Sequence, residues 1–540
     1  MTTAIVAPRT GRHEVSQPGS PFTGIPSLLR LALHRDRVRL SVWIAILTLM
    51  MVYAPNTVKL AYPEEPQRLA RVNLLKTPAG MILGGPMFGV NETDLGVMMA
   101  NELMLTLIVA ASILSMLTVV RHTRAEEESG AAELVLSSVV GRHARTYAAL
   151  IFVGAVNTIL AVTMTVAMAS TGFRIADTAA MCLGVTGVAM VFGAVAAVTA
   201  QLWRQARTAT GAAMASLALA VLIRGIGDVI NNSGSALSWF SPIAWAQQMR
   251  AFVDLRWWPF AGLAVLTIGL MTLAAWLESR RQYDDANIPS TGEHPNARPI
   301  KTVFGLHITL QRGQTIGWSV GLFLAGLAFG SMTRSLLDAA KGNPVLARVL
   351  TAQGNDGVYT TMTQFLAAAA TAYVVGAVLR VYTDEELGLG EAVLARAVSR
   401  WRWLLTAVAS ALVGSIVLMF VAGLGNGLGA GITLGEPETI VRLTLAGLAY
   451  VPAMAVLAGV AALAVAMRRT WIGWLAVTFV VVSLYLGALL RLPRWLIDLS
   501  PVGRTTAPSH YPVVALTVMV VVAAALALAA GWIYRSRDAL

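Results

Sequence analysis

The chain has 540 residues, 56% of them hydrophobic and 13% charged, with a mean hydropathy of +0.67 and a formal net charge of +12. A soluble protein carries about 25% charged residues, so the composition excludes a water-soluble enzyme and points to an all-α polytopic membrane protein. The basic residues are nearly all Arg and flank apolar runs, which marks membrane topology and not a nucleic-acid surface.

Residues 1–26 contain Pro, Ser, Gly, Arg9 and Arg12 but no apolar core, so they are not a signal peptide and read as a cytosolic tail. Ser27–Arg39 mixes Leu with Arg30, Arg35, Arg37 and Arg39 and is expected to lie along the membrane as an interfacial amphipathic helix. Six apolar runs follow near 40–60, 97–120, 146–170, 178–202, 211–230 and 260–278. Each is long enough to cross a bilayer as a helix, whereas the strands of an outer-membrane barrel are about ten residues long and alternate in polarity. Residues 280–301 form a polar, Pro-containing linker. Six further runs lie near 316–333, 361–380, 402–423, 440–466, 471–490 and 511–534. The expectation is about twelve transmembrane helices, arranged as a first half over 1–279, a linker over 280–301 and a second half over 302–540.

The two halves are copies. Between the second and third runs stands a polar island, Arg124–Arg142, and the chain nearly repeats it at Tyr382–Arg400. Glu127, Glu128, Gly130, Glu133, Val135, Leu136, Val140 and Arg142 reappear without gaps as Glu385, Glu386, Gly388, Glu391, Val393, Leu394, Val398 and Arg400, which marks an internal repeat. Thr302–Trp318 falls over Ser27–Trp43, and Ser500-Pro501-Val502 echoes Ser241-Pro242-Ile243. An even number of spans keeps both halves in one orientation, related by a pseudo-twofold axis along the membrane normal. The basic clusters at 30–39, 121–145, 280–281, 396–402 and 468–469 share the N-terminal side, so both termini are expected in the cytoplasm of a bacterial plasma-membrane protein.

Read as a helix, the first island places Glu126, Gly130 and Glu133 on one face. Leu134, Leu136, Val139 and Val140 supply apolar area, and the small residues 129–132 allow close approach. A loop that only contacted solvent would have little reason to keep this register, so a docking element is expected. The chain has no G-x-x-x-x-G-K-[ST] phosphate-binding loop, so ATP hydrolysis would have to come from another polypeptide. The seven His are scattered without H-E-x-x-H, and Cys182 is alone, so no metal site or intrachain disulfide is expected. Asn91-Glu92-Thr93 is read as a chance sequon.

The pattern EE-x-x-G-x-x-E ending in Arg between spans two and three, with LSWFSPIAWAQQ before span six, resembles ABC-2-type exporter permeases. The duplicated form is similar to the actinobacterial tetronasin-resistance type, which includes mycobacterial multidrug-exporter permeases. The resemblance implies an exporter, and because no span carries a charge cluster suited to an ionic substrate, an amphipathic or hydrophobic small-molecule cargo is expected. The resemblance also implies a partner ABC ATPase, a homodimer that supplies ATP and Mg chemistry, with no cofactor in this chain. Carried onto this sequence, Glu127, Glu128, Gly130, Glu133 and Arg142 form the first ATPase-coupling element, and Glu385, Glu386, Gly388, Glu391 and Arg400 the second. After its Ser-Pro the second half has Arg504 and Thr505 where the first has Ala244 and Trp245, so the same short helix is in doubt there.

Polar residues inside spans are costly and therefore informative. Asn101, Glu102 and Met104 in span two, Arg224 and Asp228 in span five and Tyr373 in span eight are candidates for a substrate path. An outer gate in which Arg224 meets Glu102 is one arrangement; helix ends reaching the interface are the other. The aromatic group Trp239, Phe240, Trp245, Trp257, Trp258 and Phe260 is expected to anchor an interface or to dip back into the membrane. Two rivals remain open: an ion-coupled twelve-span secondary transporter, which needs a midplane carboxylate, and a membrane-embedded enzyme or non-transporting scaffold.

Overall fold

The computed structural model describes residues 20–62, 64–76, 78–91, 94–130, 141–281, 287, 300, 302–342, 356–386, 388, 393, 395, 398–486 and 493–536. Six long helices occupy the first half: α1 (Ile25–Ala61), α2 (Leu95–Val120), α3 (Ala144–Ala169), α4 (Ile175–Leu202), α5 (Ala206–Ile230) and α6 (Trp258–Arg280). The second half repeats them as α7 (Val303–Ser331), α8 (Gly357–Glu386), α9 (Arg400–Leu434), α10 (Glu438–Ala466), α11 (Trp471–Leu484) and α12 (Val513–Arg535). Ten of these are long and apolar enough to span a membrane, and α7 and the short α11 complete the expected set among the described residues. The chain is an all-α polytopic membrane protein.

Local signals set the helix starts. Asp94 accepts from the Gly96 amide at 2.7 Å and opens α2, and Thr302 accepts from Gly305 at 3.0 Å and opens α7; such caps satisfy donors that a first helical turn leaves free. The expected interfacial helix at Ser27–Arg39 is not separate. Nothing in the sequence breaks the helix there, so it forms the first turns of the 37-residue α1, about 55 Å long at 1.5 Å per residue.

The chain divides into two compact units: Met1–Pro63 with Met81–His294, and Glu64–Gly80 with Pro295–Leu540. In unit 1, α1 packs on α3, α2 on α4 and α5, and α4 on α3, α5 and α6. In unit 2, α7 packs on α9, α8 on α10 and α11, and α10 on α9, α11 and α12. The pairing is therefore the same in both when each helix number is raised by six. The central windows of α2 and α8 are each 67% buried, but those of α6 and α12 only 11% and 17%. The peripheral helices expose rows such as Val265 and Ile268, or Val514, Val518 and Val521. Apolar area of this extent belongs in lipid, not water.

Unit 2 has a close glycine contact between two of its helices. Gly326 and Gly330 on α7 face Gly425 and Gly429 on α9, and a Cβ at any of the four would lie closer than 3.0 Å to the partner's backbone oxygen. Small residues at this spacing let helix backbones touch, the usual solution for packing in a membrane. Gly330→Val is expected to lower the melting temperature of the detergent-purified protein, at a cost of about 1–3 kcal/mol from overpacking. Gly321→Val, on the same helix with nothing within 4 Å, is the matched control and should leave melting within error.

Candidate functional site

The acidic island is built on the end of α2. Past Val120 the helix widens into a π turn, Arg121–Ala125, and then continues as Glu126–Glu128. Gly130 has a φ of +73°, a left-handed conformation that suits glycine and ends a helix. The expected helical face through Glu126, Gly130 and Glu133 is therefore corrected: Gly130 interrupts it, and Glu133 lies outside the described residues.

Each glutamate of this turn is engaged by the protein itself. Glu127 is buried, 4% exposed, and accepts hydrogen bonds from Arg124, from Arg145 on α3 and from Arg281 just beyond α6, the last at 2.7 Å. Arg124 also donates to the Arg204 carbonyl at 2.5 Å, and Arg281 to the Gln201 amide oxygen on α4 at 2.5 Å. Glu126 receives Arg35 of α1 at 3.1 Å. His122 lies 2.7 Å from Asp36 and 3.3 Å from Glu126. Glu128, the exposed member, accepts from the Ala206 amide at 2.9 Å. There a carboxylate complements the positive end of α5.

The far side of the island is equally fixed. Arg142 donates to the carbonyls of Glu278, Ser279 and Arg281 at 3.2, 2.8 and 3.2 Å, satisfying oxygens at the α6 terminus. His143 lies 2.7 Å from the Glu278 carboxylate, and Thr146 donates to it at 2.6 Å. The amides of Gly141 and His143 bond to Thr23 and Pro21, just before α1. One polar network thus touches all six helices of unit 1 at the described residues on either side of residues 131–140. Asp36, His122, Arg145, Glu278 and Arg281 are members that sequence reasoning missed. The available signal was that carboxylates at span ends, as in the local sequence Trp276-Leu-Glu-Ser-Arg, sit among arginines.

In unit 2 the backbone repeats and the chemistry changes. The helix α8 runs through Glu385 and Glu386, and Gly388 has a φ of +70°. Tyr534 of α12 donates to the Glu385 carboxylate. Arg380 sits 3.6 Å from Asp384 and donates to the Leu310 carbonyl at 3.0 Å. Positions aligned with Arg124 and Arg145 hold Tyr382 and Trp403, and Tyr534 follows Trp532-Ile533 where Glu278 follows Trp276-Leu277. Trp403 is buried with its ring 4.3 Å from that of His307. Arg400 opens α9, and Glu391 lies outside the described residues.

Against this geometry, the chain is 34% identical to the multidrug efflux system permease protein Rv1217c of Mycobacterium tuberculosis, over 99% of both chains. Residues 300–535 match the family described as multidrug efflux system permease Rv1217c, C-terminal domain. The chain belongs to this permease family. The ABC exporter permease resemblance read from the paired acidic islands therefore stands.

At the opposite end of its helices, the permease buries an ion pair. Arg224 lies 3.3 Å from Asp228 one turn on, and both are about 1% exposed or less. Arg224 also donates to the carbonyls of Met81, at 3.4 Å, and Ile82, and Ser238 donates to Asp228 at 2.8 Å. Of the two arrangements left open for Arg224, the gate with Glu102 is not the one formed: four-residue spacing on one helix brings Asp228 to Arg224 first. Tyr373 is fully buried in unit 2 with its hydroxyl 2.8 Å from that of Thr315. Asn101 and Met104 line a small cavity with Gln247 and Arg250.

Both Ser-Pro segments of the permease start a helix. Ser241 accepts from the Ile243 amide at 3.3 Å and opens Pro242–Gln247. Ser500 accepts from Gly503 at 3.4 Å and opens the shorter Pro501–Arg504. Trp239 and Trp258 stack at 5.3 Å beside the first.

Proposed function

We propose that this permease is the membrane subunit of an ATP-driven exporter of amphipathic or hydrophobic small molecules. A separate ABC ATPase, a homodimer, docks at the loops that follow Gly130 and Gly388, on a cytosolic face. The observation that carries this reading is the network in which all six helices of unit 1 meet on either side of residues 131–140. The relative's name, a multidrug efflux system permease, supports the cargo class and the direction.

In this mechanism the partner supplies ATP hydrolysis with Mg, and the permease converts a push on its loops into helix movement. Glu128 carries displacement of the loop to the start of α5 through Ala206, and Arg142 carries it to the end of α6. Glu127 lies too deep to meet a partner and acts as a positioning residue that keeps α2, α3 and α6 moving as one body. In unit 2, Glu385 and Tyr534 link α8 to α12, so the symmetric ATPase would act on two unlike junctions.

The test is reconstitution in proteoliposomes with a candidate ATPase, ATP and Mg, following uptake of an amphipathic fluorescent dye into inverted vesicles. Glu128→Lys is expected to keep ATPase binding but reduce transport per ATP hydrolysed about tenfold. Failure of every candidate ATPase to form a complex would sink the reading. Transport that persists without ATP and collapses with a protonophore would favour the ion-coupled alternative.

A further inference from the structure

At the end of unit 1 opposite Glu127, a cavity of about 30 Å³ lies between α2, the Pro242–Gln247 helix and the segment around residues 84–88. That volume holds one or two water-sized groups. Three of its lining residues carry buried polar atoms without a hydrogen-bond partner: Asn101 Nδ2, Gln247 Oε1 and Arg250 Nε. Buried polar atoms are nearly always satisfied, so three orphans around one cavity indicate a missing partner.

The surroundings hold these groups in place. Gln247 is 7% exposed and donates its amide to the Gly84 carbonyl at 3.5 Å, which leaves its Oε1 as the free acceptor. Gly85, with a φ of +107°, leaves the room that Gln247 occupies, because a Cβ there would strike the Gln247 side chain. Arg250 and Phe252 adopt left-handed backbone, at φ +51° and +68°, a conformation that non-glycine residues rarely take and that concentrates at functional positions. The Arg250 guanidinium packs 4.2 Å from the Phe88 ring centre. Val97, Met104 and Val253 form apolar walls.

We propose that this cavity is a binding subsite for an uncharged amide or hydroxyl carried by an amphipathic molecule, whose apolar part lies along those walls. The bound group must accept from Asn101 and Arg250 and donate to Gln247. An amide does both, its oxygen taking two donors and its N–H serving Gln247. A hydroxyl does the same with one oxygen. An ammonium meets the Arg250 charge, and a carboxylate, although Arg250 attracts it, competes with Asp254 at 3.9 Å and has no proton for Gln247 Oε1. Naming the ligand as cargo rests on the exporter reading; the binding chemistry does not.

Val253 is 38% exposed at this cavity, and the one native cysteine, Cys182, is fully buried, so Val253→Cys gives a reporter thiol on a quiet background. The purified variant in nanodiscs, without ATPase or nucleotide, is labelled with a charged methanethiosulfonate in the presence of millimolar octanamide, octanol, octylammonium or octanoate. Octanamide and octanol are expected to slow labelling about fivefold, and the two ions less than twofold. Adding Gln247→Leu should remove the protection, with a cooperative melting transition confirming that the variant folds. If that variant does not fold, Asn101→Ala, a half-buried position, carries the same comparison. Equal protection by all four probes, or protection that survives Gln247→Leu or Asn101→Ala, overturns the subsite in favour of apolar partitioning. No protection by octanamide or octanol overturns it in favour of trapped water. Because no ATPase is present, either result leaves the exporter reading standing, and a failure of ATP-driven transport leaves this binding measurable.

Discussion

Glu127→Ala is expected to destabilise the permease by about 3–5 kcal/mol, the usual result of stripping one partner from a buried ionic cluster. The carboxylate is fully enclosed, and its loss leaves Arg124, Arg145 and Arg281 facing one another without the anion between them. Mutual repulsion of guanidinium groups inside a poorly solvated junction adds to the lost hydrogen bonds. The aligned change in unit 2, Glu385→Ala, removes a carboxylate that accepts from Tyr534, and about 1.5–3 kcal/mol is expected for a charged hydrogen bond of that kind. Thermal unfolding in detergent, read by intrinsic fluorescence, compares the two directly. A double-mutant cycle of Glu127→Gln with Arg281→Gln should show a coupling of at least 1 kcal/mol. Equal small losses for Glu127→Ala and Glu385→Ala would mean that the network in unit 1 is not a structural hub.

Arg224→Met is expected to cost a similar ~3–5 kcal/mol, because it leaves Asp228 buried without its cation. The double variant Arg224→Met/Asp228→Leu should recover most of that loss, since replacing both members of a buried pair with apolar groups is often close to neutral. Recovery should stop short of complete, because Arg224 also satisfies the Met81 and Ile82 carbonyls. Limited proteolysis offers a second readout: cleavage within residues 78–91 should rise in the single variant and remain above wild type in the double. If the single variant melts like wild type, the pair is not holding that segment.

These two junctions show what composition and pattern can reach. All twelve helices were placed from apolar runs, because the need to satisfy backbone groups in lipid forces each run to be helical. Their ends were less legible. α1, α8 and α9 extend well beyond their apolar runs, because a helix ends where a cap, a proline or a glycine stops it, not where hydropathy falls. Gly130 was visible as a repeated residue, but its left-handed backbone was not. Arg224 was placed in span five from sequence alone, but the choice between a gate with Glu102 and a helix end at the interface stayed open, and Asp228 was not picked out as its partner.

The sequence by itself determined that the protein is a duplicated membrane permease with paired acidic islands. Duplication and hydropathy are properties of residue order, and the pairing of helices repeats because the apolar runs repeat. Only the tertiary structure decided what the acidic residues do. A π turn and five converging helix ends rotate Glu127 inward onto Arg145 and Arg281, residues 18 and 154 positions away. No local spacing rule reaches across such separations. Among the described residues the two islands differ in what meets the first aligned glutamate: arginines converge on Glu127 in unit 1, whereas Tyr534 donates to Glu385 in unit 2. Their partners lie on other helices, where the repeat has diverged.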